Sequence, residues 1–149
     1  MNIGFCGEFR VLIENKGEQT FDSGYQKNLI TDNGLEFFGG NNGNDFMAGL
    51  VIGAGNSTPQ VNQTTLDSFI AYTGALMADL WTNIFATNQT YNSATDKHVI
   101  WIEKRYKFTN LKASNISELG LVSKFQDSSN YYLTTRALIK DANGNNTTI

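Results

Sequence analysis

Runs of β-branched and aromatic residues decide the fold class of this chain, and the clearest is HVIWIEKRYKFTN at residues 98–110. Such side chains pack well on a pleated surface and lose rotamer freedom in a helix, so the run predicts a long strand. The opening stretch GEFRVLIENKGEQT, residues 7–20, alternates, with Phe9, Val11 and Ile13 on one face and Arg10 and Leu12 on the other. That period of two marks a strand. Asn15-Lys16-Gly17-Glu18 then offers a tight reversal into TFDSGYQKNLI, which predicts a hairpin at an outer edge of a sheet. Further strands are expected at residues 50–52, 119–125 and 131–139, the last two joined by the turn-rich QDSSN.

Helical signals are short. In ITDNGLEFFGG, Thr31 or Asp32 can cap a single turn carrying Leu35, Phe37 and Phe38. In QTTLDSFIAY, residues 63–72, Thr64 and Asp67 have capping-box spacing and Leu66, Phe69 and Ile70 recur at helical intervals, which predicts a second helix. GALMADLWTNIFA, residues 74–86, fits a kinked strand or a helix equally well, and GGNNGND at 39–45 and TNQTYNSATDK at 87–97 read as polar loops. The expected fold is all-β: an antiparallel β-sandwich, jelly-roll-like, with one or two short helices, in a single domain over residues 1–149.

Composition narrows the chemistry. A net charge of −3 and a pI near 5.0 argue against nucleic acid as a partner, because neutralising phosphates takes clustered Lys and Arg. Lys104, Arg105 and Lys107 come nearest to a cluster, but in a strand they alternate between faces. One Cys excludes an internal disulfide, and no stretch approaches the ~20 apolar residues of a membrane-spanning helix. Glu8 and Arg10 interrupt any apolar leader, so a soluble product made in the cytoplasm is expected. Eighteen asparagines suit turns and polar strand faces, and in such a chain the sequons at Asn56, Asn88 and Asn115 arise by chance.

The stretch GLVIGAGNST, residues 49–58, tests for a phosphate loop. It has glycines and hydroxyls but no lysine, and Pro59 followed by Gln60-Val61-Asn62 reads as a turn, so the glycines are assigned to a turn after a buried strand. A zinc site needs about four N or S ligands and the chain has one His and one Cys, so no metal or cofactor is expected. Cys6 with His98 is the one nucleophilic pairing the composition allows, and a Cys buried as a small hydrophobe is the commoner case. No serine sits in a nucleophile-elbow context. Asp22, Glu36, Asp67, Glu103 and Glu118 could supply paired carboxylates for glycoside hydrolysis, but their spacing selects no two, and the reading is of solvated or capping acids. Trp81, Trp101, Tyr131 and Tyr132 could stack on sugars or anchor an interface, while Tyr131 and Tyr132 must point to opposite faces. No residue is assigned as catalytic, cofactor-binding or metal-binding, and an enzyme is not expected.

One ordered set of motifs runs through nearly the whole chain, from about residue 4 to 149: GEFRVLIEN, GYQKNLITDNGLEFFGG, IGAGNSTP with TTLDSFIA, YKF, NISELGL and YYLTTRALIKDANGNNTTI. The set resembles a family of structural proteins of tailed bacteriophages, described as tail or tail-fibre proteins. Within it, Gly34 is read as giving backbone freedom, and Gly120 as letting a neighbouring strand approach while Ile116, Leu119 and Leu121 face inward. The resemblance implies a virion structural protein of the tail, in a tail fibre or baseplate module, acting in assembly and fibre attachment. Its implied partners are copies of itself, as a ring or trimer, and other tail proteins, with no membrane insertion. A host-glycan receptor-binding module and a capsid decoration or head-fibre protein are the alternatives. Because residues 146–149 resemble the start of a strand, the chain is expected to be the virion-proximal part of a longer fibre-like protein, or to complete a sheet in a neighbouring subunit.

Overall fold

A computed structural model describes residues 6–40, 47–73, 83–95, 97–108, 115–125 and 131–149. The fold is all-β and sandwich-like, with antiparallel ladders and, among the described residues, one short helix. Contacts divide it into two compact units, the first comprising Met1–Tyr72 with Lys112–Ile149 and the second Thr73–Leu111.

The first unit begins with a long hairpin that kinks halfway. β1 (Gly7–Phe9) pairs with β4 (Gln26–Ile30), and β2 (Leu12–Asn15) pairs with β3 (Glu18–Asp22). Lys16 and Gly17 close the tip with φ of 52° and 86°, the two left-handed residues that the tightest hairpin turn requires. At the kink, Arg10 and Val11 face Ser23, Gly24 and Tyr25, so one strand carries an extra residue, as in a bulge. Gly24, at φ 65°, absorbs it. The Ser23 amide donates to the Val11 carbonyl at 3.0 Å and the Val11 amide to Ser23 Oγ at 2.9 Å, while Arg10 Nε bonds Asp22 Oδ1 at 2.9 Å. The hairpin is therefore present as expected, with β1 on the sheet's outer edge.

The main sheet has seven strands, in the order β1-β4-β11-β9-β5-β6, with β10 also on β9. Its members are β5 (Gly49–Gly53), β6 (Phe69–Tyr72), β9 (Glu118–Phe125), β10 (Tyr131–Leu133) and β11 (Thr135–Leu138) with the two strands already named. β11 pairs with β4 on one side and β9 on the other, and all four of its residues are buried, so both of its faces are covered. Val51, Val122, Leu133 and Ile139 lie in this core with at most 1% of their surface exposed, and each burial contributes about 1.5–3 kcal/mol. β10 and β11 occupy the single strand expected at 131–139, broken at Thr134. Within it Tyr131 is buried and Tyr132 is 43% exposed, as the alternation requires.

The helix α1 (Asp32–Gly40) follows β4 directly. Thr31 caps it: its Oγ1 accepts from the Gly34 amide at 3.2 Å and donates to the Leu133 carbonyl at 2.6 Å. The helix runs nine residues, beyond the single turn expected. Gly34 serves by lacking a side chain, since a Cβ there would stand 2.2 Å from the Thr134 carbonyl oxygen. The predicted second helix at 63–72 does not form; residues 69–72 are β6, paired with β5. A strand partner satisfies those backbone groups, and this tertiary gain outweighs the local helical spacing.

In the second unit the described residues form a ribbon, β7 (Asn83–Asn92) against β8 (Lys97–Tyr106), with ten residue pairs in unbroken register. β8 matches the strand read from residues 98–110. Residues 87–92, expected to be loop, belong to β7, because pairing with β8 supplies hydrogen bonds that the Asn- and Thr-rich sequence does not advertise. Of the ambiguous segment 74–86, residues 83–86 open β7 and the rest lie outside the described residues, as do most of 39–45 and all but the first residue of 125–130.

Candidate functional site

The first unit brings Glu118, Arg136 and Asp67 together at one point, where β9 and β11 meet the loop between β5 and β6. Glu118 opens β9 and Arg136 lies in β11, and neither exposes any side-chain surface. Arg136 Nε donates to Glu118 Oε2 at 2.8 Å. Its Nη2 lies 2.8 Å from both Glu118 Oε2 and Asp67 Oδ2, and its Nη1 bonds Gln63 Oε1 at 2.8 Å and the Ser57 carbonyl at 3.1 Å. Such a planar fork of donors is what an arginine supplies and a lysine does not.

The carboxylate of Glu118 is equally occupied. Its Oε1 accepts from the amides of Gly55 and Ser68, both at 2.9 Å, and its Oε2 from the Asp67 amide at 3.2 Å. This answers the question posed by GLVIGAGNST: the glycine turn does cradle an anion, and the anion is the chain's own glutamate. A Cβ at Gly53 or Gly55 would stand 2.6 or 2.4 Å from Glu118 Oε1, so the close approach demands glycine. Tyr131 fastens the same loop, its hydroxyl accepting from the Leu66 amide at 2.9 Å while its ring packs 5.9 Å from that of Phe69. Burial pushes the Tyr131 phenol above its usual range.

Asp67 completes the cluster at the surface side, 29% exposed. Its Oδ2 accepts from the Ser57 hydroxyl and from the Ser57 amide at 3.1 Å. The Ser57 hydroxyl first, and the Arg136 guanidinium behind it, hold the Asp67 carboxyl below the ordinary carboxylate range. Asp67 therefore caps no helix. Two carboxylates against one guanidinium leave an excess negative charge, which the three backbone amides on Glu118 offset.

The remaining candidates stay apart. Asp22 pairs with Arg10, Glu103 pairs with Arg105 at 2.6 Å, and Glu36 is exposed on α1. Glu118 is neither solvated nor a cap, which corrects the reading of all five acids as such. Cys6 is exposed, not buried as a small hydrophobe. His98 and Trp101 stand in β8, their side chains outside the described residues, as is the whole of Trp81. Tyr131 is a core residue. Among the described residues no group of three or more His, Cys, Asp or Glu could hold a metal ion, and no helix is long and apolar enough to cross a membrane.

Arg136, Gln63 and Ser57 were missed as partners in the sequence. The available signal was a lone arginine inside TTRALI, an apolar strand in which a charge must find a countercharge. Chemically the cluster is a clamp. Its donors and acceptors are spent on one another and on the loop backbone, which fastens residues 54–68 to the sheet. The fold and this clamp define an all-β scaffold with a buried ionic fastening. No protein-family model, curated protein or solved structure matches the chain significantly.

Proposed function

We propose that this chain is a structural protein of a bacteriophage tail, in a tail fibre or baseplate module, which acts in assembly and fibre attachment by packing and strand-edge pairing. The observation that carries a scaffold role is the clamp, because its buried charged groups are consumed in fastening a loop to the sheet and leave no acid or base poised for a substrate. The motif resemblance supplies the phage assignment. Among the described residues β1 and β6 are the outermost strands of the main sheet, and there strands of neighbouring subunits would add.

Cryo-electron microscopy of phage particles that encode this chain tests the proposal. Density for it at the tail tip or baseplate, in contact with tail proteins, is the expected result. Density on the capsid surface would assign a decoration role instead, and particles without the chain would remove the virion role altogether.

A further inference from the structure

The long hairpin leaves one continuous edge open. Among the described residues β1 pairs only with β4 and β2 only with β3, and no described strand lies beyond them. The extra residues of the kink and of the β3 bulge sit on the partner strand, since residues 10–11 face 23–25 and Thr20 falls between the partners of Ile13 and Glu14. Alternation along residues 8–15 is therefore unbroken. It puts Glu8, Arg10, Leu12 and Glu14, all exposed, on one face, and half-buried Phe9, Val11 and Ile13 on the other.

The direction of the backbone groups fixes which residues a new strand would meet. Within the hairpin the Val11 carbonyl accepts from the Ser23 amide at 3.0 Å, the Val11 amide donates to Ser23 Oγ at 2.9 Å, and the Ile13 carbonyl accepts from Thr20 Oγ1 at 3.3 Å. Successive residues of a strand turn these groups to opposite sides. Those of Arg10, Leu12 and Glu14 thus point out of the hairpin, at the open edge. Among the described residues Glu8, Glu14 and Lys16 form no ion pair, while Arg10 is held by Asp22.

We propose that this edge pairs with the same edge of a second copy of the chain, antiparallel and with Leu12 on the two-fold axis. Facing residues in an antiparallel pair point the same way from the sheet, so the axis of such a pair must pass through a residue. Charge selects which one. An axis at Val11 sets Glu8 against Glu14, one at Ile13 sets Arg10 against Lys16, and one at Arg10 or Glu14 sets that charge against itself. With Leu12 on the axis, Arg10 of each copy faces Glu14 of the other and Glu8 faces Lys16. Val11 then faces Ile13, and the two Leu12 side chains, each 47% exposed in the single chain, meet.

Bulges and charges on an edge strand commonly keep other chains away. Protective charges need no register, whereas these four complement one another in one register and repel in each of its neighbours. An edge that meets itself is closed by two copies, so the product is a dimer, where the motif resemblance implied a ring or trimer. The proposal gives the strand-edge pairing put forward above a partner and a register, resting on that part of the reading, and needs nothing from the phage assignment.

Sedimentation equilibrium of the full chain at low salt should show monomer and dimer with a Kd on the order of 100 µM, the weak end that so small a contact gives, and weaker association at about 1 M salt. Glu8→Lys or Lys16→Glu alone should weaken that Kd about fivefold or more, and the two together should restore it. Along one strand these residues stand about 26 Å apart, so the rescue reads contact between copies. In a Cys6→Ser background, Leu12→Cys treated with oxidised glutathione should give a disulfide-linked dimer, since facing Cα atoms lie about 5.5 Å apart. Val11→Cys and Ile13→Cys should not cross-link, because each would lie about 8 Å from its own counterpart. Circular dichroism confirms that each variant folds. A chain still monomeric at about 1 mM, a trimer or ring, no rescue in the double variant, or cross-linking of Val11→Cys or Ile13→Cys ahead of Leu12→Cys would each overturn the inference. The virion assignment is decided separately, by the particle maps.

Discussion

Removing the guanidinium from the clamp by Arg136→Met leaves the Glu118 carboxylate with no exposed surface and no countercharge, although its three backbone donors remain. Breaking a buried pair in this way costs about 3–5 kcal/mol. For a chain of this length, at about 3–4 °C per kcal/mol, the melting transition of the first unit should fall by roughly 9–20 °C. The informative comparison is the double variant Glu118→Leu with Arg136→Met. Replacing both members of a buried pair by apolar residues is often neutral or stabilising. Here it should not be, because Glu118 also satisfies the amides of Gly55, Asp67 and Ser68, and each donor orphaned on burial costs about 1–3 kcal/mol. The double variant should therefore stay at least about 3 kcal/mol below the parent, less only as far as water reaches the loop. Urea denaturation followed by circular dichroism gives the energies, and hydrogen exchange at the Gly55 and Ser68 amides reports the loop itself. Recovery of the double variant to within about 1 kcal/mol of the parent, with those amides still protected, would refute the claim that the carboxylate is there to hold the loop backbone.

Two further outcomes follow from the same packing. Gly120→Ala should destabilise by about 2–4 kcal/mol, since its Cβ would stand 2.5 Å from both Leu133 Cδ1 and the Thr135 carbonyl oxygen, whereas Gly144→Ala, in open space at φ 82°, should cost only about 1–2 kcal/mol; thermal melts separate the two. Arg10 first, and then the Gly24 amide, lower the Asp22 carboxyl to about 2. The folded value lies below the unfolded one, so the contribution is present above the ordinary carboxylate range and is lost as pH falls towards about 2. Asp22→Asn should remove that part of the acid sensitivity of the hairpin kink, seen in the pH dependence of the Ser23 and Gly24 amide resonances, and salt should weaken the effect because the pair is at the surface.

Much of the strand content was legible because it rests on local chemistry. The alternation in residues 7–20, the Lys16-Gly17 reversal, the Thr31 cap and the β-branched run around Trp101 each impose a backbone preference within a few residues. Opposite pointing of Tyr131 and Tyr132, and the need for a bare backbone at Gly120, follow from strand geometry as well. Where that reasoning failed, pairing with another strand had intervened. QTTLDSFIAY carries helical spacing, yet residues 69–72 lie against β5, and TNQTYN reads as loop, yet it pairs with β8. Hydrogen bonds to a partner strand leave no mark in a segment's own periodicity.

The sequence by itself determined that this chain builds sheets, holds them without disulfides and reverses tightly at Lys16-Gly17, since composition and short-range sterics suffice for these. Only the tertiary structure decided what its charges do. Glu118 and Arg136 lie 18 positions apart, and Asp67 lies 51 positions before Glu118, so their convergence depends on β9, β11 and the loop after β5 meeting across the sheet. The glycines at 53 and 55 looked like a turn and are one, but they must be glycines because a buried carboxylate presses against their backbone. That contact exists once burial has removed water and left the loop amides as its donors.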